Sequence, residues 1–163
     1  MNRQIKQLHE IKTMREQIAV QRQERARAAL DEALHLLDQK KNEIALYSEW
    51  RVRREDELYA TIEREGGNVR KIERMNDELR GLHKAQSVIE EGVLEARQKA
   101  KEKQQTLEAA VQERLRTFRA CRKSEEVLRH AEADAAAASV RQQDREIDDM
   151  PYRARRAILT TSS

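Results

Sequence analysis

Between Asn2 and Asp148 the sequence offers a helix one place to stop and turn back, the run Gly66-Gly67-Asn68. Three residues that tolerate left-handed backbone stand side by side there. On either side Ala, Glu, Lys, Leu, Arg and Gln dominate, the side chains that lose least on entering a helix. A second interruption, Asp148-Asp149-Met150-Pro151, closes the pattern, because proline cannot continue a helix and carboxylates are unfavourable at its carboxyl end. These breaks predict helix one over about 2–65, a turn at 66–68 and helix two over about 69–146. The helical hairpin then occupies 1–148, followed by a flexible basic tail over 149–163. In that tail Asp149 and Pro151 have the signals for starting a brief helix.

The apolar pattern says how the helices pack. In helix one, Leu30, Leu34, Leu37, Ile44, Leu58 and Ile62 fall at alternating spacings of four and three, with Lys41, Ser48, Arg51 and Glu55 at the intervening positions. In helix two the same alternation starts at Ile72 and Met75. It runs through Leu79, Leu82, Gln86, Ile89, Val93, Ala96 and Ala100 and on past Cys121, Ser124 and Leu128 to Ala138. A mean spacing near 3.5 sustained this long is the mark of a left-handed coiled coil. If the chain reverses at the two glycines, facing residues carry numbers that sum to about 133. Leu37 then meets Ala96, Ile44 meets Ile89 and Leu58 meets Met75, with Leu34 against Ala100 and Ile62 against Ile72. The fold class expected is therefore all-α, one long antiparallel coiled-coil hairpin of two helices. The turn-proximal half should be the more tightly zipped. Helix two should outlast helix one and end in a slender alanine-rich tip.

Composition agrees with a seam in place of a broad core. Charged residues make up 39% of the chain and aromatics 3%, too few to fill a globular interior. The 33 basic and 30 acidic residues are interleaved, as in Glu95/Lys99 and Glu125/Arg129, which suits a solvated helix face and argues against nucleic-acid binding. A single cysteine, Cys121, allows no intrachain disulfide. The amino terminus lacks an apolar signal region and no run is long enough to insert into a membrane, so a cytoplasmic protein is expected. Acid pairs such as Glu90-Glu91 have no cleft around them, which argues against an enzyme. The four histidines are scattered, so neither a metal nor another cofactor is expected.

What remains are surfaces for other proteins. Ile11, Met14 and Ile18, with Ile5 and Leu8 beside them, form an apolar stripe offset by about two positions from the later register. Either a local shift buries them, or they dock a partner in helix-in-groove fashion. By the turn's pairing His83 lies beside Trp50, with Tyr47 one turn away, a candidate aromatic patch on an otherwise charged surface. The polar seam residues are expected to fix register, with Ser48 and Gln86 placed to share a hydrogen bond.

Met1-Asn2-Arg3-Gln4 entering directly into helix, the single reversal at Gly66-Gly67, the longer second helix and the ragged tail run the length of the chain. In these features it resembles the stalk proteins of type III secretion and flagellar export, the YscO and FliJ type. The resemblance implies a stalk similar to the shaft of a rotary ATPase, about 95 Å long at 1.5 Å per residue. One end, carrying both termini, would sit in the pore of a hexameric secretion ATPase. The body would reach toward the export-gate protein and handle secretion chaperones. On that mapping Ile5, Leu8, Ile11, Met14, Ile18, Leu128 and the alanine-rich tip face the ATPase, while Tyr47, Trp50 and His83 form the exporter-facing patch. In isolation the hairpin is expected to be a monomer, peripheral to a membrane-embedded machine. The competing reading is a structural coiled-coil tether or scaffold rod with no ATPase partner.

Overall fold

The computed structural model describes residues 2–151, 156 and 158–160. Two helices account for almost all of them, α1 over Asn2–Glu65 and α2 over Val69–Asp149. They pack against each other as an all-α helical hairpin. α1 stops where Gly66 takes φ 75°, the left-handed region that a Cβ disfavours. α2 starts on a cap: Asn68 Oδ1 accepts from the Lys71 amide at 2.9 Å, and Asn68 O accepts from the amides of Lys71 and Ile72. Gly67 sits in a tight spot, since a Cβ there would come to 3.2 Å from both Ile62 and Ile72 and their side chains would have to give by a few tenths of an ångström. α2 runs three residues past the expected end at 146. In the tail, Arg156 and Ile158–Thr160 are helical, with Thr160 donating to Arg156 O at 2.9 Å. Of the expected flexible tail, residues 152–155, 157 and 161–163 lie outside the described residues.

The chain divides into two compact units, Gln21–Gln112 and the pair Met1–Val20 with Glu113–Ser163. In the unit Gln21–Gln112 the seam follows the expected α2 positions, with Leu82, Ala96 and Ala100 buried and Met75, Leu79, Ile89 and Val93 half-buried. On α1 one layer is as expected, Leu30, Leu37, Ile44, Arg51 and Leu58. In the other layer Ser48, Glu55 and Ile62 are half-buried as expected, but its first two positions are displaced by one residue, with Lys40 half-buried where Lys41 was expected. Ala33 is buried where Leu34 was expected, and Leu34 is 47% exposed. Both choices keep a mean spacing of 3.5, so size and surroundings decide. Two helices cannot cover a Leu on all sides, whereas Ala lets the backbones approach. Ala29, Ala33 and Ala96 line one groove there.

Burial is not concentrated at the turn as expected. Leu58, Ile62 and Met75 are half-buried, Ile72 is exposed, and the buried side chains Ala26, Leu30, Ala33, Ala96 and Ala100 lie far from it in sequence. The hydrogen bond expected between Ser48 and Gln86 is also not made. Gln86 Nε2 donates to Glu90 at 2.9 Å, while Gln86 Oε1 is buried without a protein partner. Arg51 instead pairs with Glu55 at 2.6 Å, and Arg54 bridges to Glu78 across the seam at 2.7 Å. Glu78 first, then Glu57, hold the Arg54 guanidinium still more firmly protonated than usual.

Candidate partner-binding surfaces

In the unit formed by Met1–Val20 and Glu113–Ser163, α1 turns a polar face toward α2. The seam there is made of His9, Thr13, Glu16 and Ala19 against Thr117, Cys121, Ser124 and Leu128, all buried or half-buried. Its hydrogen bonds can be followed proton by proton. The Ser124 hydroxyl donates to Cys121 O at 2.7 Å, so it can only accept from His9 Nδ1, 2.9 Å away. That fixes His9 with a proton on Nδ1. Likewise the Thr13 hydroxyl donates to His9 O at 2.9 Å, so in its 3.7 Å contact with Cys121 the thiol is the donor. Burial pushes the Cys121 thiol up from its ordinary pKa; a hydrogen bond from Thr13 would pull it down, and Glu16 and Glu125 push it up. With the Thr13 proton already directed to His9 O, the upward direction stands. At the rim, Arg122 at 2.9 Å is the main cause that holds the Glu125 carboxyl below its usual range, with Arg129 adding to it.

Because the polar face is inside, the apolar face is outside. Leu8, Ile11, Met14 and Ile18 are 44–55% exposed. No register shift buries them, since His9, Thr13, Glu16 and Ala19 continue the 3.5 spacing of the seam without a break. Across α2, Leu115 and Phe118 are exposed as well, with the Arg122 guanidinium 5.4 Å from the Phe118 ring centre. Ile5 is half-buried and shares with Leu8 a groove of about 250 Å³, floored by Ala120, Ser124 and Val127. Leu128, like Ile5, is half-buried, and it lies in the seam. A neighbouring groove of about 330 Å³ is lined by Lys12, Arg15 and Arg116, of which Arg116 is paired with Glu113. Past Lys6, which pairs with Glu132 at 3.7 Å, α2 continues through Asp149 with every residue exposed except half-buried Ile147.

In the unit Gln21–Gln112 the aromatic residues are only partly brought together. Tyr47 and Trp50 rings lie 5.5 Å apart, tilted 47°. The Tyr47 hydroxyl donates across the seam to Leu82 O at 2.9 Å, which anchors Tyr47 and leaves Trp50 46% exposed. His83 engages Glu55 at 3.2 Å and Arg51, the residue after Trp50, at 3.4 Å. Leu46, the most exposed of the neighbouring apolar residues at 68%, was missed by the sequence reading. An exposed Leu one turn before Trp50 on the same face was the available signal.

Among the described residues no helix is long and apolar enough to cross a membrane. Against known proteins, the family profile of type III secretion protein YscO matches residues 5–152. The fold is similar to the 2.8 Å crystal structure of type III secretion protein YscO from Vibrio parahaemolyticus, with a TM-score of 0.86 and 19% identity. That likeness covers 92% of this chain and 94% of the other. A comparison with curated proteins finds no match. With a profile match over nearly its whole length, the chain belongs to the YscO family of type III secretion proteins.

Proposed function

We propose that the chain is the stalk of a type III secretion export apparatus, a cytoplasmic coiled coil that binds the hexameric secretion ATPase and links it to the export gate. The observation that carries this reading is the inverted packing of the unit Met1–Val20 with Glu113–Ser163. Leu8, Ile11, Met14 and Ile18 are held outward beside a polar seam, a costly arrangement for a protein with nothing to bind there. Ile5, Leu128 and the alanine-rich end of α2 extend the ATPase-facing surface. Tyr47, Trp50 and His83, with Leu46, are the surface assigned to the export gate, and secretion chaperones are further partners. Such a stalk acts by position and contact, and needs no reaction centre.

The test is direct binding. The purified chain, immobilised on a biosensor, is exposed to the purified hexameric ATPase of the same secretion system and separately to its export-gate protein. Binding of the ATPase that is lost in Ile11→Ser/Met14→Ser/Ile18→Ser, and gate binding lost in Trp50→Ala, supports the stalk. If neither protein binds, or if the triple variant binds as well as the parent, a scaffold rod without an ATPase partner is the better account.

A further inference from the structure

On one flank of the unit Met1–Val20 with Glu113–Ser163, cations collect and are left without counter-charges. Two grooves adjoin there, sharing Lys12 and Ala120. The first has an apolar floor, Ile5 and Leu8 from α1 with Ala120 and Val127 from α2, and Lys123 on its rim. The second is bordered by Arg15 and Arg116. Four cationic side chains thus line the pair of grooves against one carboxylate, Glu113, which Arg116 already holds at 3.2 Å. Among the described residues Lys12, Arg15 and Lys123 make no hydrogen bond or ion pair. Glu16 follows Lys12 by one helical turn, yet it lies in the seam and no ion pair joins the two. Elsewhere in the unit Lys6, Arg122 and Arg129 each meet a carboxylate. Lys12 is also half-buried, so its ammonium gives up water without gaining a partner, and Arg15 three residues on adds a like charge.

We propose that this flank receives an acidic amphipathic helix of the secretion ATPase. Apolar side chains of that helix enter over Ile5, Leu8, Ala120 and Val127, and its carboxylates meet Lys12, Arg15 and Lys123. The proposal rests on the ATPase reading above and adds the chemistry of the surface that the ATPase brings to the site. A helix suits the shape. Ile5–Arg15 runs about 15 Å along α1, close to three helical turns, and a third helix laid along the flank of two packs against both at an ordinary spacing of about 8–10 Å. Acid suits the charge. A basic helix would face three unpaired cations, and a neutral one would strip water from them and return nothing, so both are rejected. An anionic membrane surface fits less well. The apolar floor lies between α1 and α2, where a side chain reaches in and a flat layer of headgroups meets exposed Arg15 and Lys123 first.

The experiment measures binding of the purified hexameric ATPase of the same secretion system to the immobilised full chain, at low and high salt. Affinity is expected to fall about tenfold or more in high salt, as contacts between carboxylates and cations require. Lys12→Glu/Arg15→Glu/Lys123→Glu should weaken binding by about tenfold or more, and the neutral Lys12→Gln/Arg15→Gln/Lys123→Gln should weaken it in the same direction. Arg70→Glu/Arg97→Glu/Lys101→Glu makes the same change of charge at exposed positions in the unit Gln21–Gln112, and should leave binding within about twofold. Circular dichroism establishes that the helices persist in each variant. A readout on the parent chain needs no variant: a zero-length carbodiimide should couple Lys12 and Lys123 to carboxylates three or four residues apart in the bound ATPase, mapped by mass spectrometry. If the ATPase binds without coupling at either lysine, or binds the reversed and parent chains equally, the acidic helix is overturned and the ATPase reading stands. If the parent chain does not bind the ATPase at all, that reading falls and this proposal falls with it. Cosedimentation with phosphatidylglycerol vesicles that needs the three cations, alongside ATPase binding that does not, makes the ligand a membrane surface and also overturns the proposal.

Discussion

Truncating Leu30, Leu82 and Leu34 separately to Ala tests the seam where sequence and structure part. Leu30 and Leu82 are each 8% exposed and Leu34 is 47% exposed, and all three lie in the unit Gln21–Gln112. A fully buried Leu contributes about 1.5–3 kcal/mol by transfer, and Leu→Ala in well-packed cores costs about 2–5 kcal/mol once the cavity is included. A two-helix seam is open on its flanks, so water or neighbouring stems fill part of any hole and the low end applies. Leu30→Ala and Leu82→Ala should each cost about 2.5 kcal/mol. Leu34 has about half its surface in water already and leaves no enclosed cavity, so its loss costs about 1 kcal/mol, less a few tenths returned by the better helix propensity of Ala. Urea unfolding followed by circular dichroism reads the difference. With a slope of roughly 2 kcal/mol per molar, the midpoint falls by about 1.2 M for Leu30 and Leu82 and by under 0.5 M for Leu34. A Leu34→Ala variant as damaged as Leu30→Ala would mean that Leu34, and not Ala33, occupies the seam, and the packing argument would be wrong.

Three further predictions address the turn, the cross-seam hydroxyl and the thiol. Gly66→Ala forces a Cβ onto a φ of 75° and should cost about 1–2 kcal/mol, while Asn68→Ala removes the α2 cap and should cost about 1 kcal/mol, both read as melting-temperature shifts. Tyr47→Phe deletes the 2.9 Å bond to Leu82 O but keeps the tilted ring contact with Trp50, so about 1 kcal/mol should be lost with Trp fluorescence almost unchanged. Cys121 should react with a thiol reagent far more slowly in the native chain than in urea, and Cys121→Ala should flatten the alkaline limb of the stability curve. The sign follows from its pKa: the folded value is raised, so the unfolded chain gives up the thiol proton first, and stability falls as pH rises above about 8.5.

How far the sequence could be read depended on which chemistry marked each position. Gly66, Gly67 and Asn68 announce a turn because backbone geometry demands those residue types. The α2 seam was legible down to Cys121 and Ser124 because one unbroken 3.5 spacing passes through them. On α1 the eye follows size, and Leu34 outweighed Ala33, although helices that approach closely favour the smaller side chain. Between Asn2 and Val20 the same preference fixed attention on Ile11, Met14 and Ile18, which the structure leaves outside. The actual seam residues His9 and Thr13 are polar and carry no hydropathy signal. Only the turn's own pairing would have found them, since it sets His9 opposite Ser124. The sites assigned to partners rest on exposure, a property of the packed pair of helices that no single-helix pattern contains.

The hydrogen-bonded seam of His9, Thr13, Cys121 and Ser124 has one more consequence, for how the first turns of α1 let go. Parting two helices along an apolar seam exposes greasy surface to water, a penalty that grows with every layer opened. Parting them here exposes the small Ala19 and the covered parts of Ile5 and Leu128, but otherwise wets hydroxyls, an imidazole and carbonyls, each of which exchanges its partner for water at a net loss of about 1 kcal/mol. Leu8, Ile11, Met14 and Ile18 are solvated before and after, so they do not resist. Residues Asn2–Val20 can therefore peel away from α2 as an intact helix, at an energy well below that of global unfolding. Their amide hydrogens should exchange with solvent sooner than those around Leu30, and a protease should find this segment first.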